Sequence, residues 1–67
     1  MYEYDIPDMS CGHCVASVEK AIKAIDPKAN ADVDLMKRRA LVTSAVDPQA
    51  IAAAIDEAGY PVTFRAV

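Results

Sequence analysis

The apolar residues of this chain change their spacing repeatedly, and no long segment keeps either period. Residues 2–6, YEYDI, alternate Tyr2, Tyr4 and Ile6 against Glu3 and Asp5, the period of two that a half-buried strand requires. Pro7 and Asp8 end that strand, and a loop follows through Met9 and Ser10. From Cys14 the spacing lengthens. Val15, Val18, Ile22 and Ile25 recur three and four apart, with Ser17, Glu19, Lys20 and Lys23 between them, so one face of a helix is apolar. Ser10 is the N-cap candidate for this helix. Asp26-Pro27 stops it, because a residue before proline is driven out of helical backbone angles.

The second half repeats the alternation. Residues 30–35, NADVDL, place Ala31, Val33 and Leu35 on one side and Asp32 and Asp34 on the other. Met36-Lys37-Arg38 makes a polar turn, and residues 39–44, RALVTS, return as a less regular strand, so the pair reads as a hairpin. Asp47-Pro48 opens a second helix with an N-cap carboxylate and a proline in the first helical position. Ile51, Ala54, Ile55 and Ala58 form its apolar stripe, and Gly59 supplies the left-handed residue that ends it. Residues 62–66, VTFRA, form a last strand.

The predicted order is β-α-β-β-α-β. Both helices must then cover one face of a four-stranded antiparallel sheet, the α+β, ferredoxin-like sandwich. The two halves match in architecture without a strong residue repeat. A chain of 67 residues suits one small domain, spanning 1–67, and has too little polypeptide to wall a deep active-site cavity.

Ten acidic and seven basic residues leave a net charge of −3, which argues against nucleic acid as a partner, since phosphates need a basic face. No segment approaches the roughly 18 apolar residues of a membrane span, so no direct membrane insertion is expected. The opening MYEYDIPD lacks the basic and apolar regions of a secretory signal. These features lead to the expectation of a cytoplasmic protein, and the Met1 start argues against a detached domain of a larger transporter.

The chemistry is concentrated in Cys11 and Cys14, the only cysteines. Cys11 falls in the loop and Cys14 in the first helical turn, so both sulfurs converge where the helix N-terminus presents unpaired N–H groups and partial positive charge. That field favours thiolate, the form that attacks and ligates, while Asp8 opposes it. Three uses compete. A structural zinc site needs four ligands, and His13, adjacent to Cys14, is expected to point away from the sulfurs. A thiol–disulfide role fits a CxxC at a strand–helix junction, although the thioredoxin fold needs a longer chain. A soft ion such as Cu(I) selects thiolates and accepts two of them, leaving room for a partner's thiolate to take the ion away.

The stretch Met9-Ser10-Cys11-Gly12-His13-Cys14 resembles the MxCxxC motif of the heavy-metal-associated domain, and in particular small bacterial Atx1-like copper chaperones. The resemblance covers essentially the whole chain, including AIDEAGYPV before the last strand. It implies Cu(I) held by Cys11 and Cys14, delivery to a metal-binding domain of a copper-transporting P-type ATPase, and no enzymatic activity. It also implies that Tyr60 lies beside the metal. Two departures stand out: Asp8 where the family usually has Gly, and Asp26-Pro27-Lys28-Ala29 where many relatives carry a Gly-Val pair. Copper bridging two copies is a further expectation. A small redox protein and a detached domain of a mercury, zinc or cadmium transporter are the alternatives.

The remaining residues near the motif have ordinary uses to set against functional ones. Met9 is expected to plug the core at the base of the loop rather than to ligate through sulfur. Ser10 reads as a cap rather than a ligand, and His13 as an exposed residue whose imidazole can still tune the site. Lys37-Arg38-Arg39 is expected to form a solvated tip at the end of the sheet remote from the cysteines. Asp56 and Glu57 form a solvated helix face that, with Asp8, can bias the choice of partner by charge.

Overall fold

The computed structural model describes all 67 residues. Its elements are β1 (Tyr2–Asp5), α1 (Gly12–Ile25), β2 (Asn30–Asp34), β3 (Arg39–Thr43), α2 (Pro48–Glu57) and β4 (Thr63–Ala66). The four strands form one antiparallel sheet in the order β2-β3-β1-β4. This is the ferredoxin-like arrangement read from the sequence, with both helices on one face of the sheet.

The alternation along the strands decides which face that is. Tyr4 of β1 and Ala40 and Val42 of β3 are buried, and they meet Val18 and Ile22 of α1 and Ile51, Ala52 and Ile55 of α2 in one cluster. The intervening side chains face outward, where Arg39 makes ion pairs with Glu3 and Asp5 at 4.0 and 3.9 Å. These pairs are solvent-exposed and contribute little each. Tyr4 stands opposite Phe64, with ring centroids 5.6 Å apart. Its hydroxyl crosses the core to donate to the Pro48 carbonyl at 3.2 Å, tying the sheet to the start of α2. Burial pushes the Tyr4 phenol up to about 12, so it stays a donor at any physiological pH.

Several boundaries differ from the periodicity. Ser10 does not cap α1. Cys11 takes the N-cap position, extended at φ −149° and ψ 169°, and its side chain makes no capping bond. Ile25 sits in the last turn of α1 and is exposed, because the helix ends there at Asp26. In α2 the buried alanine is Ala52, and Ala58 is the exposed C-cap residue. Leu35 belongs to the β2–β3 turn, where the Asp34 carboxylate accepts the Lys37 N–H at 3.2 Å and ends the strand. Asp47 does cap α2, accepting from the Gln49 N–H at 2.9 Å.

The Lys37-Arg38-Arg39 tip lies at the cysteine end of the sheet, not the remote end. Asp5, the last residue of β1, pairs with Arg39, the first of β3, and the Ile6 N–H donates to the Arg38 carbonyl at 2.8 Å. Each element runs the length of the sheet and reverses. The β1–α1 loop, the β2–β3 turn and the α2–β4 connection therefore gather at one end.

The departure at Asp26-Pro27-Lys28-Ala29 has a role at the opposite end. Asp26 accepts from the Lys28 N–H and from the Ser44 hydroxyl, Lys23 donates to the Ala29 carbonyl, and Ala29 is buried. The Ser44 bond, then that from Lys28, holds the Asp26 carboxyl below its usual range. A charged clasp here does the work of fastening the helix–strand connection to the start of the β3–α2 loop.

Candidate metal centre

The loop that carries the cysteines is built on a tight turn. The Met9 N–H donates to the Ile6 carbonyl at 3.0 Å, with Pro7 and Asp8 at the two corner positions, where proline's fixed φ favours the bend. Neither corner residue has positive φ, so Asp8 fits without backbone strain where the family's glycine would also fit. Met9 then drops into the core and is fully buried. With Ile6 and Met9 both sealed at the base, Ser10 and Cys11 are lifted to the surface.

The helix begins at once. The Cys11 carbonyl accepts from the Cys14 and Val15 N–H groups at 3.0 and 3.2 Å. Cys11 is exposed, Cys14 is half-buried, and both are free thiols. Their sulfurs lie 3.1 Å apart, inside hydrogen-bond reach and well outside the roughly 2.05 Å of a disulfide. His13 is exposed on the first turn, and no group of three or more His, Cys, Asp or Glu side chains converges anywhere in the chain. The arrangement is therefore a two-sulfur clamp, not the closed four-ligand cage of structural zinc.

Tyr60 reaches the pair through the end of α2. Gly59 adopts φ +101°. Its N–H donates to the Asp56 carbonyl at 3.0 Å, and the Tyr60 N–H donates to the Ile55 carbonyl at 3.3 Å. This is the paired bonding of a Schellman turn, and it directs Tyr60 back over the core beside the cysteine loop. The Tyr60 hydroxyl, then the Cys11 thiol, favour the Cys14 thiolate by hydrogen bonding, and backbone N–H groups add to this. Together they overcome desolvation and bring the Cys14 thiol from 9.0 to about 6. The same contact with Cys14 raises the Tyr60 phenol, and Ser17 opposes that rise. Ser17 was not singled out from the sequence, although its spacing of three from Cys14 places it on the same helical face.

A chain of dependence follows: Gly59 shapes the turn, the turn aims Tyr60, and Tyr60 lowers Cys14. A Cβ at Gly59 would meet nothing within 4 Å, so Gly59→Ala suffers only from its backbone angle. It is expected to cost about 1 kcal/mol of stability in urea unfolding. It should also raise the midpoint of Cys14 alkylation. A stability loss with an unchanged midpoint would show that Tyr60 finds its place without the glycine.

The model of the heavy-metal-associated domain matches residues 3–61. The chain belongs to the heavy-metal-associated domain family. Copper-transporting ATPase 1 of Rhizobium meliloti is 42% identical over 62 residues, which are 90% of this chain but 8% of the pump. Copper chaperone CopZ of Enterococcus hirae is 38% identical over 61 residues, 87% of this chain and 88% of the chaperone. A periplasmic component of mercuric transport from Pseudomonas fluorescens is 36% identical over 63 residues, 90% of this chain and 69% of that protein. Against the copper-pump relatives the chain spans only 6–8% of their length. Among solved structures, a gold-binding protein superposes with a TM-score of 0.92 at 34% identity, covering 97% of this chain and 100% of the other. Copper chaperone Atx1 of Synechocystis superposes with a TM-score of 0.87 at 33% identity, covering 91% and 97%. The domain is thus homologous to CopZ and Atx1-like copper chaperones, in a family of metal-binding domains rather than an enzyme class. No helix is long and apolar enough to cross a membrane.

Proposed function

We propose that residues 1–67 form a single heavy-metal-associated domain that acts as a Cu(I) chaperone, with Cys11 and Cys14 as the ligands. The observation that carries this reading is the pair of sulfurs 3.1 Å apart at an exposed helix N-terminus with no third ligand group beside them. Soft thiolates select Cu(I) over harder ions, and a two-ligand site suits an ion in transit. Two metal–thiolate bonds of about 2.3 Å each span about 4.6 Å when opposed, so the sulfurs must spread to admit a two-coordinate ion. Cys14 is fixed in the helix, so the movement falls to Cys11. The same mobility lets an acceptor's thiolate join as a third ligand while Cys11 departs. Tyr60 keeps Cys14 in its thiolate form during that exchange, and Ser10 on the loop and His13 on the first helical turn, both exposed, meet the partner rather than the ion.

The partner in this reading is a metal-binding domain of a copper-transporting P-type ATPase, supported by the likeness of this chain to that segment of such pumps. Copper bridging two copies is part of the proposal, because each copy offers two sulfurs where Cu(I) accepts up to four. One Synechocystis Atx1 structure, of a point mutant, is a trimeric form, which supports association between copies. Two free thiols suit a cytoplasmic location. The test is anaerobic Cu(I) titration of the reduced protein against a competing chelator, with Cys11→Ser and Cys14→Ser alongside. One tight Cu(I) per chain, weakened at least a hundredfold in both variants (about 2.7 kcal/mol), is the expected result. Failure of the wild type to outcompete even a weak chelator sinks the copper reading, and a preference for Hg(II), Zn(II) or Cd(II) in the same assay moves it to another metal.

The second reading is a thiol–disulfide protein, favoured by the short sulfur separation and by a Cys14 thiol brought to about 6. It predicts turnover of a disulfide substrate that Cys11→Ser abolishes, whereas the chaperone reading predicts no appreciable turnover.

A further inference from the structure

Arg38 is the one residue other than glycine with positive φ, at 55°. The turn geometry asks for it. Asp34 and Arg39 are the closing pair of the β2–β3 hairpin, four residues lie between them, and the Arg38 N–H returns to the Leu35 carbonyl at 3.2 Å. A loop of this length that starts with a tight turn commonly finishes on a left-handed residue, for which Gly or Asn is the low-strain choice. The turn alone therefore does not account for an arginine.

Its side chain does. The Arg38 carbonyl accepts from the Ile6 N–H at 2.8 Å, and its guanidinium Nη1 donates to the Pro7 carbonyl at 3.1 Å. Ile6 and Pro7 are the first half of the turn whose second half is Asp8 and Met9, and Cys11 lies two residues beyond. One residue of a neighbouring hairpin thus grips two consecutive residues at the root of the cysteine loop. Strained backbone that persists next to a reactive centre is a recognised sign of a functional constraint. Ile6 and Met9 are buried, which fixes the loop from below, while Arg38 fixes it from the side.

We propose that Arg38 is a positioning residue for the metal loop, bracing the Ile6–Met9 turn so that Cys11 has to work against it when it moves away from Cys14. The functional half of this inference rests on the chaperone reading; the brace itself does not. Removing the guanidinium frees the turn, speeds the departure of Cys11 and so speeds handover, with little change in equilibrium affinity.

The test uses full-length Arg38→Asn, Arg38→Gly and Arg38→Lys. Asn and Gly accept the left-handed backbone without the side-chain brace, and Lys retains a cationic donor at the original strain. In the reduced metal-free protein, amide hydrogen exchange at Met9 is expected to quicken about three- to tenfold in Arg38→Asn and Arg38→Gly. The urea midpoint should hold or rise, and Arg38→Lys should recover part of the protection. In the Cu(I)-loaded protein, transfer to excess chelator should quicken by a similar factor. Unchanged Met9 exchange, or faster exchange that only tracks a fall in the urea midpoint, overturns the brace. Faster exchange with unchanged transfer overturns its role in handover. A wild type that binds no Cu(I) overturns the chaperone reading and leaves the exchange result to decide on the brace.

Discussion

Met9→Ala should unfold a large part of the population at physiological temperature, whereas Met9→Leu should be nearly silent. Met9 is fully buried in the same cluster as Tyr4, Ile22 and Ile55, so truncation removes its transfer free energy and leaves a cavity at the base of the loop. That combination costs about 2–5 kcal/mol. A domain of this size has about 3–10 kcal/mol in total, so the loss is a major fraction of it. Leucine conserves volume and should cost less than about 1.5 kcal/mol. Urea unfolding of both variants measures the stability. Chelator competition on Met9→Leu separates packing from ligation, since leucine fills the space but offers no sulfur. Unchanged Cu(I) affinity in Met9→Leu means that the methionine holds the loop and not the ion. A drop in affinity with stability intact would mean that the thioether reaches the metal after all.

Much of this fold could be read from period alone because each element buries one face, and burying one face imposes a period. Tyr4 and Val42 alternate into the core, and Val18 and Ile22 recur at helical spacing. Element ends were less legible, since they depend on hydrogen bonds that period does not encode. The Ser10 cap is an example. Ser is the better capping side chain, yet the turn from Ile6 to Met9 and the burial of Met9 set the helix start one residue later, at Cys11. The hairpin tip was misplaced for a different reason. Counting reversals of direction from β1 through α1 and β2 already places Arg38 at the cysteine end, so the topology contained the answer that a reading of the turn in isolation missed. The convergence of the two cysteines was legible because a spacing of three, read with a helix starting at that point, brings both side chains to one side of the first turn. Ser17 and the grip of Arg38 on Pro7 were not, because they arise from elements brought together across the sheet and across the helix pair.

Cys14 should titrate as an acidic thiol, and Tyr60 should be the main reason. With a midpoint of about 6, about nine in ten Cys14 side chains are thiolate at pH 7, against about one in a hundred at the ordinary thiol value. The pH profile of iodoacetamide alkylation, with the two cysteines resolved by peptide mass, reads that midpoint directly. Tyr60→Phe keeps the ring over the core and deletes the hydroxyl. It is expected to move the midpoint up by about one pH unit and so to slow Cys14 alkylation at pH 6 about fivefold. An unchanged profile would leave Cys11 and the helix N-terminus as the whole cause. The same depression has a consequence for folding. Between about 6 and 9 the unfolded chain holds a proton on Cys14 that the folded chain has released, so stability must rise with pH across that window and fall away as pH drops through 6. The raised Tyr60 phenol acts in the opposite sense, but only at alkaline pH, where unfolded tyrosine begins to ionise. Reduced protein without metal should therefore show a urea midpoint that climbs from pH 6 to pH 9. The climb should be shallower in Tyr60→Phe and absent in Cys14→Ser, because serine has no proton to release in that range. Bound metal removes the dependence by another route: a coordinated thiolate cannot take up the proton. Acid below 6 then becomes a competitor for the ion, and metal release on acidification should begin at a higher pH in Tyr60→Phe than in the wild type.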